Sequence, residues 1–242
     1  MPNQQKHRGQ HPQDQILFAD KWRVPFGAAA ADLAYLWGRG YAENSSVKIV
    51  GDRYRLNVRQ RKALMRLCCE PSVIQQRLDK HLPPDLLQGR TVAIDGFNLI
   101  IFVESAISNG ILLNCMDGVY RDIASVHGSY KRVVETGEAL RLIGQVLKRL
   151  GVHTVLWYLD APVSNSGRLK GFIEEEGRTQ HLNWEVELVA DPDKVLVALT
   201  DDEVVISSDG WILDQAQVWS NLNAYLLQND LTKAVIFDCL ST

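Results

Sequence analysis

Five short apolar runs alternate with helical segments over the second half of the chain, and this alternation limits the fold more than any other feature. The runs are TVAID (91–95), HTVLWYLD (153–160), WEVELV (184–189), EVVISSD (203–209) and AVIFD (234–238). Between them, GEALRLIGQVLKRLG sets Leu140, Ile143, Leu147 and Leu150 on one helical face. GRLKGFIEEEG ends at Gly177, which suits a helix C-terminus, and NLNAYLLQND is a late helix. Nearly continuous apolar strands separated by helices call for a sheet covered on both faces. The expectation is an α/β fold with a mostly parallel sheet.

The first part of the chain reads differently. Residues 1–90 carry 15 Lys+Arg against 8 Asp+Glu, a net of +7, whereas residues 91–242 carry 11 against 21, a net of -10. The pattern divides the chain into a polar tail at 1–24, expected to be poorly structured, a small all-α basic domain at 25–85, and the α/β domain at 90–242. Pro83, Pro84 and Gly89 mark the break. A first helix is expected from about Ala28 to Trp37, with Leu33, Leu36 and Trp37 on one face and Gly38 and Gly40 as stops. Val47, Val50 and Tyr54 recur at helical spacing, and Asn57 is placed to cap a third helix whose Ala63, Leu64 and Leu67 face inward. The outline is that of a helix-turn-helix. Arg53, Arg55, Arg59, Arg61, Lys62 and Arg66 crowd the last two helices, and this pattern fits a phosphate-contacting face and a solvated face equally well.

Apolar content of 46% and charged content of 23% are ordinary for a globular protein. No apolar run reaches the roughly 20 residues that span a bilayer, and the N-terminal residues lack the apolar core of a signal peptide. Cys68, Cys69, Cys115 and Cys239 show no metal-binding spacing, so a cytoplasmic protein with reduced thiols is expected.

Three of the strands end in aspartate: Asp95, Asp160 and Asp209. In open parallel sheets ligands sit beyond the carboxyl ends of the strands. Carboxylates converging there repel one another unless a cation sits among them, and oxygen-only ligands suit Mg²⁺ or Mn²⁺. Any one of these aspartates taken alone reads equally as a turn or cap residue. Glu104, inside the apolar LIIFVESAI, needs a partner or a purpose. Asp117 and Asp122 offer further carboxylates, with Arg121 between them, and Asp214, five residues after Asp209, could return to the same site from the first turn of a helix. Asp193 reads as a helix cap or a cavity acid, and His127 as a packing histidine.

AIDGFN resembles the first motif of the PIN-like nucleases, especially their NYN branch, in which a strand ends in Asp-Gly-x-Asn. VVISSDGWILD resembles their late motif, a strand followed by Ser-x-Asp and another acid. DGFNLIIFVESAI, CMDGVYRDIASVHGSY, LDAPVSNSG and SSDGWILD together resemble a group of uncharacterised prokaryotic proteins in which a small helical domain precedes a PIN-like domain. The likeness covers most of residues 28 to 220 and implies a Rossmann-like sheet. It implies Asp95 as first metal ligand, Asn98 orienting water or a phosphate oxygen, and Asp209 as late ligand, with Ser208 in support and Asp214 as an additional acid. The middle acid of the PIN pattern has no clear counterpart: Glu104, Asp117, Asp122 and Asp160 all compete for it.

The expected chemistry is Mg²⁺- or Mn²⁺-assisted phosphodiester hydrolysis, with RNA more than DNA as substrate. Asp95, Asn98, Glu104, Asp160 and Asp209 form the catalytic set, and Asp117 and Asp214 are further metal candidates. Ser164, Ser166 and Arg168, in the loop after Asp160, are placed to hold phosphates, with Arg121 and the basic helices adding attraction. The competing expectation is a non-catalytic nucleic-acid-binding module. A haloacid-dehalogenase nucleophile is disfavoured because Phe97 stands where a second Asp belongs, and no P-loop lysine motif occurs.

Overall fold

The N-terminal helices come first because their seams set where the rest of the chain packs. In the computed structural model, which describes residues 7–9, 11–124 and 129–240, they are α1 (Asp14–Leu17), α2 (Arg23–Gly38), α3 (Glu43–Arg53), α4 (Val58–Leu67) and α5 (Pro71–Asp79). α2 starts five residues before the expected Ala28. Pro25 falls in its first turn, where a missing N–H costs nothing. Asn57 caps α4 through a reciprocal pair: its side chain accepts from Gln60 N at 2.9 Å, and Gln60 Oε1 accepts from Asn57 N at 3.1 Å.

These helices do not close a core of their own. Phe26, Leu33, Val47 and Leu64 pack in one buried cluster with Leu113 and Cys115 from the middle of the chain and Phe237 from its far end. A unit of some 60 residues buries too little surface to be strongly stable alone, and here it gains the missing area from a sheet. The described part of the expected tail also belongs to the fold. Arg8 is buried, and Gly9, at φ 74°, packs so close to α6 that a Cβ would lie 2.8 Å from Ser105 Oγ; α6 is the helix Gly96–Ile107.

β1 (Thr91–Asp95) leads into α6, followed by β2 (Ile111–Asn114), β3 (Tyr120–Asp122) and α7 (Thr136–Arg149). Then come β4 (Thr154–Asp160), α8 (Ser166–Gln180), β5 (Trp184–Val189), α9 (Pro192–Val197), β6 (Glu203–Ile206), α10 (Gly210–Gln215), α11 (Leu222–Asn229) and β7 (Val235–Phe237). The main sheet is parallel, in the order β5-β4-β1-β6. Alternate residues feed opposite faces: Val92 and Ile94 pack with α6, α7 and α8, whereas Ala93 packs with Leu196 of α9 and Ile212 and Leu213 of α10. The protein is therefore a mixed α/β fold with a doubly covered parallel sheet and a helical N-terminal region.

Two expectations change. AVIFD does not join the main sheet: β7 pairs parallel with β2 in a second, three-stranded sheet, β3-β2-β7, the one that carries the N-terminal helices. α8 does not stop at Gly177 but runs to Gln180. Gly177 serves packing, since a Cβ there would lie 3.0 Å from the Cβ of Trp184. Among the described residues no helix is long and apolar enough to cross a membrane.

Candidate functional site

β4 and β6 flank β1 on opposite sides, so the chain reverses its winding direction between β1 and β6. Such a switch opens a crevice at the carboxyl ends of the two strands. Asp95 closes β1 and caps α6, accepting from Asn98 N at 3.4 Å. Opposite it, Ser207, Ser208 and Asp209 leave β6 and cap the next helix. Ser207 Oγ donates to Asp95 Oδ2 at 2.9 Å and accepts from Asp209 N at 3.0 Å. Asn98 Oδ1 accepts from both Ser208 N at 2.9 Å and Ser208 Oγ at 2.8 Å. Asp209 Oδ1 accepts from Trp211 N at 2.8 Å. Ser207, which sequence reasoning passed over, thus holds the acid, while Ser208 holds the amide.

Asp95 is 8% exposed. Burial raises its carboxyl most, the Ser207 hydrogen bond lowers it, and the charges of Asp193 and Asp209 raise it further, leaving it at about 7. Asp193, at the start of α9, is raised by the partial covering of its carboxyl and by Asp209, Asp191 and Asp160. Asp160, at the end of β4, is raised by burial and by Asp191. Asp193 therefore links the two ends of a rim, acting on Asp95 on one side and feeling Asp160 on the other, but among the described residues no three His, Cys, Asp or Glu stand together as ligands of one ion.

The start of α6 touches β4 closely. A Cβ on Gly96 would lie 2.5 Å from Leu159 Cδ2 and 2.9 Å from the Tyr158 carbonyl oxygen. A backbone oxygen yields only if β4 moves, so Gly96→Ala is expected to cost roughly 1–3 kcal/mol. A thermal melt checks this, and an unchanged midpoint would refute the close-contact account.

Glu104, Asp117 and Asp214 lie away from this rim acid. Glu104 is fully buried in the third turn of α6, where it accepts from Arg8 Nε at 2.7 Å, Tyr130 OH at 2.6 Å and Thr136 Oγ1 at 2.5 Å. Its carboxylate is engaged in an internal ion pair with Arg8 and in hydrogen bonds to two hydroxyls. Asp117 is clamped by Arg77 and by Arg121 Nη1 and Nη2 at 2.8 and 2.6 Å. Burial raises its carboxyl, but the arginines more than offset this and hold it below its ordinary value. Asp214 pairs with Arg77 Nε at 2.7 Å rather than turning to Asp209, and Asp122 pairs with Arg66 at 3.5 Å.

The basic candidates also divide. Arg121 is buried, with Nε donating to the Ser208 carbonyl at 2.6 Å, so it positions the crevice rather than offering itself to a polyanion. Arg53, Arg59 and Arg61 are paired with Asp32, Asp14 and Asp52, which removes much of the expected basic face; Arg55 and Lys62 remain exposed. Ser166 is buried and donates to the Ala161 carbonyl at 3.4 Å, Ser164 O accepts from Tyr130 N, and Arg168 is exposed on a different cavity. His127 lies outside the described residues.

A cleft of about 610 Å³ opens beside the crevice, between Trp37 and Arg66 of the N-terminal helices and Asn98, Asp209 and Trp211 of the α/β part. Arg77 lines its wall and ties the two parts together, with Nη2 donating to the Gly210 carbonyl at 3.0 Å. Nothing in the sequence marked Arg77, because its partners at 117, 210 and 214 are distant along the chain.

Fold and crevice define a parallel α/β protein with a ligand-competent switch point and a helical N-terminal region. Residues 84–225 match the family described as Domain of unknown function (DUF5616), and residues 26–80 match Protein of unknown function (DUF434). Uncharacterized protein MJ0935 of Methanocaldococcus jannaschii is similar, 32% identical over 185 residues that cover 75% of this chain and 88% of that protein. No solved structure matches. The chain belongs to the DUF5616 family.

Proposed function

We propose that the protein is a Mg²⁺- or Mn²⁺-dependent nuclease of the cytoplasm that hydrolyses phosphodiester bonds, with RNA as its substrate. The observation that carries this reading is the buried Asp95 carboxyl at the β1/β6 switch, raised to about 7 by burial and by neighbouring acids, beside a cleft large enough for nucleotides. The RNA preference rests on the likeness of AIDGFN and SSDGWILD to PIN-like motifs. Asp95 and Asp209 are the residues that would hold the ion. The donor set fits: it is all oxygen, and magnesium commonly binds through one or two carboxylates while keeping several waters. Bound there, the ion would supply Lewis acidity and would neutralise charge at the phosphate.

The chain's own groups do the rest. Asn98 Oδ1 is committed to Ser208, so its Nδ2 is the donor left for a phosphate oxygen. Arg66 spends Nη1 on Asp122, while its Nε and Nη2 take no partner among the described residues. Ser207 fixes the Asp95 carboxyl, and Asp209 stays solvent-accessible at the head of α10.

Incubation of single-stranded and structured RNAs with Mn²⁺ or Mg²⁺ tests the reading. Wild-type protein is expected to cleave, and Asp95→Asn to lose on the order of 100-fold or more. Intact RNA under every condition would sink it. A non-catalytic nucleic-acid-binding module is the second reading, favoured by the separation of the rim carboxylates. It predicts salt-sensitive binding that Asp95→Asn leaves unchanged.

A further inference from the structure

A second cavity, of about 690 Å³, lies at the same end of the sheet, beyond β4, between residues 130–132 and the first half of α8. The backbone of Tyr130 donates to Ser164 O at 3.1 Å and Asn165 Nδ2 donates to the Tyr130 carbonyl at 2.9 Å, so the two walls are fixed to each other. Arg132 lies flat on Phe172, its Cζ 3.9 Å from the ring centre. Stacking occupies one face of a guanidinium and leaves its N–H edge and other face available. Arg168 stands on the adjoining wall, and among the described residues neither arginine has a carboxylate partner, although most arginines of this chain have one. The acid of the wall, Glu175, is already taken by Arg178 at 2.6 Å.

Gly171 offers a place to test the cavity. It sits inside α8 and lines the cavity, and a Cβ there would meet nothing within 4 Å. A glycine inside a helix is a poor choice for stability, and at this exposed position a larger side chain would have room to project into the cavity.

We propose that this cavity is a nucleotide-binding site, with the phosphate held by Arg168 and Arg132 and the base stacked on the Arg132–Phe172 platform. Arginine edges suit phosphate, and guanidinium planes and aromatic rings suit nucleobases without regard to sequence. The ligand is a nucleoside monophosphate, either free or as one unit of a single strand. In the second case the site deepens the nuclease reading and rests on it.

Full-length protein in EDTA, titrated calorimetrically with adenosine 5′-monophosphate and with a single-stranded uridine hexamer, tests the proposal without requiring cleavage. Saturable binding is expected. A hexamer bound at least about tenfold tighter than the monophosphate identifies the strand as the ligand, and equal affinity identifies the free nucleotide. Arg132→Ala and Arg168→Ala are each expected to weaken binding by roughly tenfold or more. Gly171→Leu should abolish binding while raising the melting temperature, which separates loss of the site from loss of the fold. Asp95→Asn should leave binding intact, so failure of the hydrolytic reading and failure of this one are told apart. Absence of binding by both probes at millimolar concentration, or wild-type affinity in the arginine variants, would overturn the site.

Discussion

Asp95→Asn is expected to make the protein more stable at pH 8 and to change little at pH 4, in buffer containing EDTA. The sign follows from the direction in which burial moves the carboxyl. The folded carboxyl titrates at about 7 against an ordinary value of 3.8. Folding therefore favours the protonated form, and the penalty for the ionised form builds as pH rises from the lower value to the higher. Each tenfold change in proton affinity is worth about 1.4 kcal/mol, so the full penalty above neutral pH is roughly 4 kcal/mol. Asparagine never ionises. Its oxygen still accepts from the Asn98 amide, but its NH2 cannot accept from Ser207 Oγ, so one hydrogen bond is lost or reversed, which leaves a net gain of roughly 2–4 kcal/mol. For a chain of this size each kcal/mol moves the midpoint by about 2–4 °C, so the variant should melt roughly 5–15 °C higher at pH 8. Manganese should then stabilise wild type and leave the variant where it is. A variant that melts lower than wild type at pH 8 would show that the Asp95 carboxylate belongs to the fold rather than to a ligand.

That acid is visible in the sequence because strand and motif coincide. TVAID ends where the apolar run ends, and DGFN begins a helix whose first residue must be small. Asn98 and Asp209 are legible for the same local reason: each lies within three residues of a strand end or helix start. Glu104 misleads because burial demands a partner, and the partner, Arg8, lies in a stretch whose polarity reads as tail. Arg53, Arg59 and Arg61 mislead because charge composition does not say which acids fold back onto them. β2 and β3 are hidden because four and three residues carry too short a period to read, and β7 reads into the wrong sheet because strand type does not fix strand partner. The basic helices lie on β3-β2-β7 and reach the acidic crevice through Arg66 and Arg77.

The larger loss is expected from Asp117→Ala. The Asp117 side chain is fully buried between Arg77, 8% exposed, and Arg121, 10% exposed. Removing it strands Arg121 without a counter-charge and leaves Arg77 with Asp214 alone. Breaking a buried pair on one side costs about 3–5 kcal/mol, because the remaining charge stays desolvated. A fall in melting temperature of roughly 6–20 °C is the measurable consequence. Replacing the cluster outright, as Arg77→Met, Asp117→Leu and Arg121→Leu together, should recover much of that stability, since the three buried charges go together and the one group that loses its partner, Asp214, is about a third exposed to water. It should not recover hydrolysis. Arg121 Nε holds the Ser208 carbonyl and Arg77 Nη2 holds the Gly210 carbonyl, so these two guanidiniums set the position of the Ser207–Asp209 turn that faces Asp95. A triple variant that is stable and as active as wild type would assign the cluster to folding alone. The pH dependence provides a further check, opposite in sign to that of Asp95. Arg121 and Arg77 keep the Asp117 carboxyl below its ordinary 3.8, so its contribution is present above that value and is lost as pH falls through the lower, folded one. The difference in stability between wild type and Asp117→Ala should therefore shrink in acid, whereas the difference between wild type and Asp95→Asn should grow towards alkali.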